Sequence, residues 1–225
     1  MNDWISKVQN KQFIASFSGG KDSMLALYKA MQVGKPIGLI AMLDATDHYS
    51  YSHRLSPEFL EAQAHSLGLP IWTRAATWTT YEKQFMELLE EAKANGAEVL
   101  VTGDVDVPEH GSWHANVTTK AGIGLCMPNW QKEHRTMVEE FVELGFVAIV
   151  TTVNLSLGMR LSDLGRILTR DYIKELVERS IDPCGEAGEF HTTVIDGPIF
   201  STPLQVEKLE IIQKDEYAFL PLKIK

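Results

Sequence analysis

Cysteine is scarce in this chain of 225 residues, which contains only Cys126 and Cys184, far apart and in no CxxC pair. This spacing excludes a disulfide framework and is typical of reduced thiols in the cytoplasm. We therefore expect a cytoplasmic protein.

Long hydrophobic runs are missing as well. The apolar stretches are only of strand length, and residues 1–12 are polar, without the apolar segment of a signal peptide. We therefore expect neither a membrane span nor a secretion signal.

Positively charged residues are also relatively few. The 21 Lys and Arg residues are outnumbered by 30 Asp and Glu residues, which gives a formal net charge of -9 and no basic run. An acidic chain repels a phosphate backbone, so the composition argues against a nucleic-acid partner. Internal repeats and low-complexity segments are also lacking, which excludes solenoids and disordered tails.

Short apolar runs instead alternate with amphipathic helical stretches through the first half of the chain. The runs at 12–18, 37–43, 69–72 and 97–103 are typical of buried strands. Strands that alternate with helices predict an α/β fold, a Rossmann-like doubly wound parallel sheet. After residue 103 the alternation weakens. The sequence therefore predicts a nucleotide-binding domain at 1–108 and a smaller C-terminal α+β domain at 109–225.

The segment from Ser18 to Ser23, SGGKDS, lies between the first predicted strand and the first predicted helix. Gly19 and Gly20 allow a tight turn that brings backbone N–H groups close to a ligand. The helix start adds unsatisfied N–H donors and a positive dipole end, Ser18 and Ser23 add hydroxyls, and Lys21 adds a positive charge. This combination predicts a polyphosphate site. A plain glycine-rich turn is the alternative.

A Walker A loop would require GxxxxGK[ST], but Ala15 stands at the first glycine position and Asp22 at the Ser/Thr position. SGGKDS resembles instead the PP-loop of ATP pyrophosphatases, which cleave ATP between its α- and β-phosphates. The resemblance implies that Ser18, Gly19, Gly20, Lys21, Asp22 and Ser23 hold the β,γ-pyrophosphate, with Mg2+ bridging the phosphates.

The carboxyl ends of neighbouring parallel strands lie at one edge of a sheet, where ligands bind. We therefore expect Met42 and Asp44, at the end of the second strand, to line the adenine pocket. Gly103 and Asp104 end the fourth strand at the same edge. Asp104 either faces the phosphates or magnesium, or caps a loop.

A second polar cluster, CGEAGEFHT, spans Cys184 to Thr192. Gly185 and Gly188 bring a thiol, the carboxylates of Glu186 and Glu189, and the imidazole of His191 into one tight turn. Carboxylates can bind metal-bound phosphate or orient an amine, and an imidazole can move a proton. A polar loop that enters a strand is the structural alternative.

Together with SGGKDS, this cluster resembles the CGExGEFHT signature of the diphthine–ammonia ligase family. The resemblance runs from about residue 12 to 200 and includes His53 with EAQAHSLGLPI, VTGD at 101–104, and DGPIF at 196–200. It implies adenylation of a carboxylate by ATP, then amidation by ammonia. The implied acceptor is diphthine, a modified histidine on translation elongation factor two.

The resemblance also implies roles for single residues. Lys21, Glu186, Glu189 and His191 would be catalytic, and His53, Cys184, Gly185 and Glu186 would face the acceptor. It implies no protein ligand set for a metal. The oligomeric state stays open, with a homodimer as one option.

Several alternatives stay open. His114-Ala115-Asn116 and Met127–Trp130 stand where the family carries an Arg-x-Glu-like stretch and a Pro-Leu-Trp turn, so a different acceptor is one of them. A non-catalytic adenine-nucleotide-binding protein is another.

His110 and His114, near Asp104, Asp106 and Glu109, suggest a metal hydrolase, although Gly111 argues against a helix there. The lack of a terminal ECG motif argues against a sulfonucleotide reductase, and the charge argues against a transfer-RNA thiolase or lysidine synthetase.

Overall fold

The computed structural model describes residues 3–46, 48–51 and 53–225. The chain forms two compact units. The first comprises Met1–Ser18, Asp22–Tyr51 and Gly68–Gln131, and the second comprises Gly19–Lys21, Ser52–Leu67 and Lys132–Lys225. The predicted boundary between residues 108 and 109 stays a prediction; in this division, Gly68–Gln131 belongs to the first unit and Lys132–Lys225 to the second.

The first unit is built around a five-stranded parallel sheet. Its strands are β1 (Gln12–Ser16), β2 (Lys35–Asp44), β3 (Ile71–Ala76), β4 (Val99–Val101) and β5 (Gly124–Cys126). They lie in the order β3-β2-β1-β4-β5, and every pair is parallel. This is the predicted Rossmann-like sheet. The strand order reverses between β1 and β4, which is the usual place for a ligand at the carboxyl edge of such sheets.

Helices connect the strands of the parallel sheet and pack against it. The helices of this unit are α1 (Asp3–Val8), α2 (Lys21–Met31), α4 (Tyr81–Ala94) and α5 (Pro108–Ala121); α3 lies in the second unit. A buried cluster centred on Ile14, Ile40 and Leu100 packs the sheet against Phe85 and Leu88 of α4. Burial of such side chains stabilises each by about 1.5–3 kcal/mol.

Helix α5 corrects one expectation. Gly111 was expected to argue against a helix at His110 and His114, but all three residues are helical. Pro108 occupies the first turn, where its missing N–H costs nothing. Gly111 is explained by packing, since a Cβ there would lie 2.6 Å from Cη2 of Trp130.

The second unit combines helices with antiparallel sheets. Its helices are α3 (Pro57–Ser66), α6 (His134–Glu143) and α7 (Arg170–Glu178), with 3-10 turns at Leu155–Leu157 and Leu161–Asp163. Ser56 caps α3, since its side chain accepts a hydrogen bond from the amide of Phe59 at 3.3 Å, and Pro57 occupies the first helical position.

Its main sheet has four strands. They are β6 (Val147–Asn154), β7 (Phe190–Asp196), β9 (Ile212–Lys214) and β10 (Tyr217–Phe219), in the order β7-β6-β10-β9, with antiparallel pairs throughout. Strands β8 (Val206–Lys208) and β11 (Leu222–Ile224) form a separate pair. The tail from Val206 to Ile224 therefore contains four short strands. Within the described ranges, no helix is long and apolar enough to cross a membrane.

Candidate nucleotide and acceptor site

The SGGKDS segment follows β1 and turns directly into α2. The amide of Ser18 donates a hydrogen bond to Oγ of Ser23 at 3.3 Å, and the two hydroxyl oxygens lie 3.1 Å apart. Gly19 has a φ of +79°, a conformation that side chains disfavour. Helix α2 begins at Lys21, with Asp22 in its first turn. A tight turn with hydroxyls and a helix N-terminus is suited to bind an anion.

Gly103 follows β4, beside this turn in the parallel-sheet unit. A Cβ at Gly103 would lie 2.6 Å from the backbone nitrogen of Ser23, so only glycine fits.

The buried side-chain amide of Asn129 donates a hydrogen bond to the carbonyl of Asp22 at 3.0 Å and accepts one from Nζ of Lys29 at 3.3 Å. Sequence reasoning missed Asn129, although the MPNW turn was noted.

Asp104 comes next and is held by two imidazoles of α5. Nδ1 of His110 lies 3.2 Å from Oδ1, and Nε2 of His114 lies 3.1 Å from Oδ2. Burial raises the pKa of this carboxyl, but the hydrogen bonds from His110 and His114 outweigh it and hold the pKa well below its usual range. Asp104 is therefore ionised at neutral pH.

The side chains of Met42 and Asp44, the predicted adenine-pocket residues, contact other parts of the protein. Met42 is buried in the core of the parallel-sheet unit, so only its backbone is available to a ligand from this position. Asp44 accepts hydrogen bonds from the amide and the hydroxyl of Thr46 at 2.8 and 2.6 Å, which closes the turn after β2. Their role in adenine binding stays a prediction.

In the second unit, Lys21 contacts the CGEAGEFHT segment. Its amide donates to Oγ1 of Thr192 at 3.2 Å, and its ammonium donates to the carbonyl of Cys184. The ammonium also lies 5.6 Å from the ring centroid of Phe190, a cation–π contact. Lys21 is only 4% exposed, so its charge is held in one place rather than sampling solvent.

Gln63 of α3 fixes the same short segment. Its amide nitrogen donates to the carbonyls of Gly19 at 2.9 Å and Val194 at 2.7 Å, and the amide of Val194 donates to the carbonyl of Gly19 at 3.0 Å. Gln63 is fully buried. Sequence reasoning named no role for it, and the only signal was its place in EAQAHSLG.

His53 packs directly against Gly20. Its Nδ1 lies 2.8 Å from the carbonyl of Thr192, and its ring centroid lies 4.8 Å from that of His191. A Cβ at Gly20 would lie 2.1 Å from Cε1 of His53, so this position must be glycine while the imidazole is present. Burial lowers the pKa of His53 to about 4, with the charge of Lys21 adding to the effect, so the ring is neutral at pH 7.

Asp182 organises the loop that carries Cys184 and Glu186. It accepts hydrogen bonds from the amides of Cys184 at 3.0 Å and Glu186 at 3.1 Å, and its Oδ2 lies 2.9 Å from Nδ1 of His134. Gly185 has a φ of +75° and a Cβ there would lie 2.6 Å from the carbonyl of Phe190. The hydrogen bonds to Asp182 thus fix the loop at its first residue. Sequence reasoning assigned no such role to Asp182.

The two glutamates of the loop, Glu186 and Glu189, have different surroundings. The thiol of Cys184 lies 3.7 Å from Oε1 of Glu186. Glu189 is 8% exposed, and its Oε2 has no hydrogen-bond partner within the described part of the chain. A buried acceptor without a donor is costly, and such atoms are commonly satisfied by a ligand or water.

All residues predicted for catalysis and the acceptor lie in the second unit, together with Gly19 and Gly20, which were predicted to hold pyrophosphate. They are Lys21, His53, Cys184, Gly185, Glu186, Glu189 and His191. The first unit brings Ser18, Asp22, Ser23, Gly103 and Asp104 to the carboxyl ends of β1 and β4. The side chain of Met42 is buried in the core of this unit, and that of Asp44 accepts hydrogen bonds from Thr46 in the turn after β2.

Comparison with known proteins agrees with these observations. The chain is 25% identical to a diphthine–ammonia ligase of Schizosaccharomyces pombe over 92% of its length, but spans only 38% of that protein. It is 25% identical to the bovine and 24% identical to the human diphthine–ammonia ligase, each over 92% of this chain and 87% of the relative.

Among solved structures, a predicted subunit of a tRNA methyltransferase from Methanocaldococcus jannaschii matches 84% of this chain and 98% of its own, at 17% identity and a TM-score of 0.46. The model of the diphthamide synthase N-terminal domain matches residues 11–125, and that of the C-terminal domain matches residues 133–224. Two matches in the proper order cover most of the sequence, and the chain therefore belongs to the diphthamide synthase family.

Proposed function

We propose that this protein is an ATP-dependent ligase that adenylates a carboxylate and converts it into an amide with ammonia, releasing AMP and pyrophosphate. By analogy with the diphthine–ammonia ligases, its acceptor is a modified histidine on translation elongation factor two. The single observation that carries the proposal is the placement of Lys21. Its buried ammonium contacts the carbonyl of Cys184, while its amide contacts Thr192.

The residues after β1 fit a polyphosphate. Gly19 provides a positive φ, Gly103 allows the β4 loop to approach Ser23, and α2 supplies N–H donors at its start. Mg2+ binds phosphate oxygens with the help of one or two carboxylates, and Asp22 in the first turn of α2 offers one. When bound, the ion would neutralise charge on the phosphates.

The proposed reaction has two steps. A carboxylate oxygen of the acceptor forms a bond to the α-phosphorus of ATP as the bond to the β-phosphate oxygen breaks, and pyrophosphate leaves. Ammonia then forms a bond to the acyl carbon, AMP leaves with the bonding electrons, and nitrogen loses one proton. Lys21 would stabilise negative charge in the first step.

The second step needs a group that accepts a proton or a hydrogen bond from ammonia. Glu189 is suited to that role, since its Oε2 is buried and has no donor within the described ranges. We assign His191, two residues further on, to proton transfer and Glu186 to the orientation of the attacking amine. His53 is neutral because of its lowered pKa and supports the loop rather than titrating.

The test is an assay of ATP turnover with ammonium and the candidate acceptor, with AMP and pyrophosphate measured separately from ADP. We expect AMP in the wild type and about 100-fold less in Lys21→Met, as when one stabilising donor is removed from a transition state. Lys83→Met is the control, because Lys83 is an exposed lysine of α4 that pairs with Glu87 at 3.9 Å.

Release of ADP, or AMP formation that survives Lys21→Met, would contradict the mechanism. Tight ATP binding without turnover on any carboxylate would favour a non-catalytic nucleotide-binding protein instead. AMP formation with another carboxylate, but not with modified elongation factor two, would retain the chemistry and change the acceptor.

A further inference from the structure

A threonine and a glutamate of the second unit each bury an oxygen atom that no donor or acceptor satisfies. Among residues 3–46, 48–51 and 53–225, neither Oγ1 of Thr152, on β6, nor Oε2 of Glu189, just before β7, has a hydrogen-bond partner. Thr152 is 3% exposed and Glu189 is 8% exposed. Buried polar atoms are costly when unpaired, so two of them on adjoining strands indicate a site for a small polar ligand.

The strand register places the two side chains on one face of the antiparallel sheet. Thr152 lies directly opposite His191, and the amide of Asn154 donates to the carbonyl of Glu189 at 2.7 Å, which extends the ladder by one pair. Alternate residues of a strand share a face, and so do residues directly opposite each other. Thr152 and Glu189 are therefore diagonal neighbours, about 7–8 Å apart in such sheets, a separation that one small molecule hydrogen-bonded to both side chains can span.

A β-bulge precedes Thr152. The register of β6 against β7 shifts between Val150 and Thr152, which leaves Thr151 as the extra residue. Bulges re-aim side chains and are common beside active sites. The hydroxyl of Thr151 lies 2.9 Å from Oγ1 of Thr193, whereas that of Thr152 is unpaired within the part of the chain that the structure describes. Two adjacent threonines, each 3% exposed, thus differ in whether the hydroxyl has a partner.

The unpaired oxygens select a ligand that donates hydrogen bonds. An ionised carboxylate only accepts hydrogen bonds, and a hydroxyl can accept as well as donate. A buried carboxylate is normally paired with a cation. Lys21 does not donate to Oε2 of Glu189, and its ammonium lies over the ring of Phe190, which alternation places on the opposite face. Ammonium itself meets both requirements, because it is a compact cation whose hydrogens are all donors.

We propose that Thr152 and Glu189 form a binding site for ammonium, the nitrogen donor of the amide-forming step. Its identification as the nitrogen donor rests on the proposed function, whereas the binding of ammonium requires neither ATP nor an acceptor. Bound ammonium donates hydrogen bonds to Oγ1 of Thr152 and Oε2 of Glu189. One of its protons passes to the carboxylate of Glu189, which leaves ammonia with a free electron pair. Ammonia forms the bond to the acyl carbon, AMP leaves with the bonding electrons, and a second proton passes from nitrogen to His191.

Binding is tested without turnover. The melting temperature of the full chain is measured in ammonium chloride and in potassium chloride at equal ionic strength, because potassium has a similar size but no hydrogen to donate. We expect ammonium at ten times its dissociation constant to raise the melting temperature by about 3–6 °C over potassium. This difference should disappear in Thr152→Val and in Glu189→Gln, and it should persist in Thr151→Val.

Thr151→Val is the matched control, since it makes the same substitution one residue earlier. Thr152→Val replaces an unpaired hydroxyl with a methyl group, so its melting temperature in potassium chloride should equal or exceed that of the wild type. Thr151→Val leaves Oγ1 of Thr193 without this partner and should lower the melting temperature in both salts. Loss of the ammonium effect in Thr152→Val therefore cannot come from a weakened fold.

The role in catalysis is tested by steady-state kinetics. In Thr152→Val, we expect the KM for ammonium to rise about tenfold, as when one hydrogen bond to a charged group is removed. The KM for ATP should stay unchanged. Thr151→Val should leave the KM for ammonium unchanged.

The two proposals fail separately. Equal melting temperatures of the wild type in the two salts, or an ammonium effect that persists in Thr152→Val, would overturn the ammonium site. An ammonium effect that depends on Thr152, without AMP formation, would keep the site and remove the ligase. AMP formation with the KM for ammonium unchanged in Thr152→Val would keep the ligase and overturn the assignment of its nitrogen donor to this site.

Discussion

The backbone amide of Lys21 donates a hydrogen bond to the side chain of Thr192, 171 positions further along the chain. Thr192 is fully buried, and its own carbonyl contacts His53 at 2.8 Å. Thr192 of β7 thus contacts both Lys21 of the SGGKDS segment and the imidazole of His53.

The first prediction concerns Thr192. Thr192→Val keeps the shape but removes the hydroxyl oxygen that accepts a hydrogen bond from the amide of Lys21, at a cost of about 1–3 kcal/mol. We expect a lower melting temperature and a KM for ATP raised about tenfold. Thr193→Val is the matched control, since it removes a buried hydrogen bond of 2.9 Å to Thr151. Comparable ATP kinetics in the two variants would argue against the role of Thr192.

The second prediction concerns the contact between Gly20 and His53. Gly20→Ala should destabilise the fold by about 1–3 kcal/mol, because the added methyl group overlaps a held imidazole. Gly124→Ala, where a Cβ would lie 3.4 Å from its nearest neighbour, should cost less.

The double variant Gly20→Ala/His53→Ala tests the cause. Removal of the ring should recover part of the loss in the free energy of unfolding, measured by urea denaturation. No recovery would mean that the backbone of Gly20, and not the ring, sets the requirement for glycine.

The third prediction concerns pH. The pKa of His53 falls from 6.5 to about 4 on folding, so between these values the unfolded chain binds a proton that the folded chain does not. Stability therefore falls as the pH falls through this window, by on the order of 3 kcal/mol for this one group.

His53→Gln removes the titrating group. We expect its melting temperature to depend less on pH between 6.5 and 4 than that of the wild type. His65→Gln, at an exposed position of α3, is the control for the substitution. A wild type and His53→Gln variant with parallel pH profiles would show that His53 does not titrate in this way.

The fourth prediction concerns Asp182. Asp182→Asn weakens the hydrogen bonds that fix the amides of Cys184 and Glu186, each to a charged acceptor and worth about 1.5–3 kcal/mol. We expect kcat for AMP formation to fall about tenfold or more, because the loop is no longer held. His134→Gln, which can still donate to Asp182, should have a smaller effect. A change in stability alone, with kcat unchanged, would make Asp182 merely structural.

The regular parts of the fold were predictable because their causes are local. Each strand run, such as those at 12–18 and 97–103, is recognised from a few consecutive apolar residues, and each helix from the amphipathic stretch that follows. The parallel sheet follows from their alternation, and the structure confirms it.

The parts that sequence reasoning missed depend on distant partners. Gly111 was read as a helix breaker because Trp130, the ring it accommodates, lies 19 positions away. Gln63 gave little signal because its partners, the carbonyls of Gly19 and Val194, are distant backbone groups, and one partner of Asp182 is His134, 48 positions away. Whether the predicted site residues bind ATP and the acceptor stays a prediction.

The composition of the second unit has a practical consequence for dissecting the protein. The partners of Thr192 and Val194 in β7 belong to Gly19–Lys21 and to α3, stretches encoded more than 120 positions earlier. A recombinant fragment that begins at Lys132 would retain the CGEAGEFHT segment yet lack the lysine, the imidazole and the glutamine that hold it. Interaction mapping by truncation at this point would therefore produce false negatives, and point substitutions in the full chain are the appropriate tool.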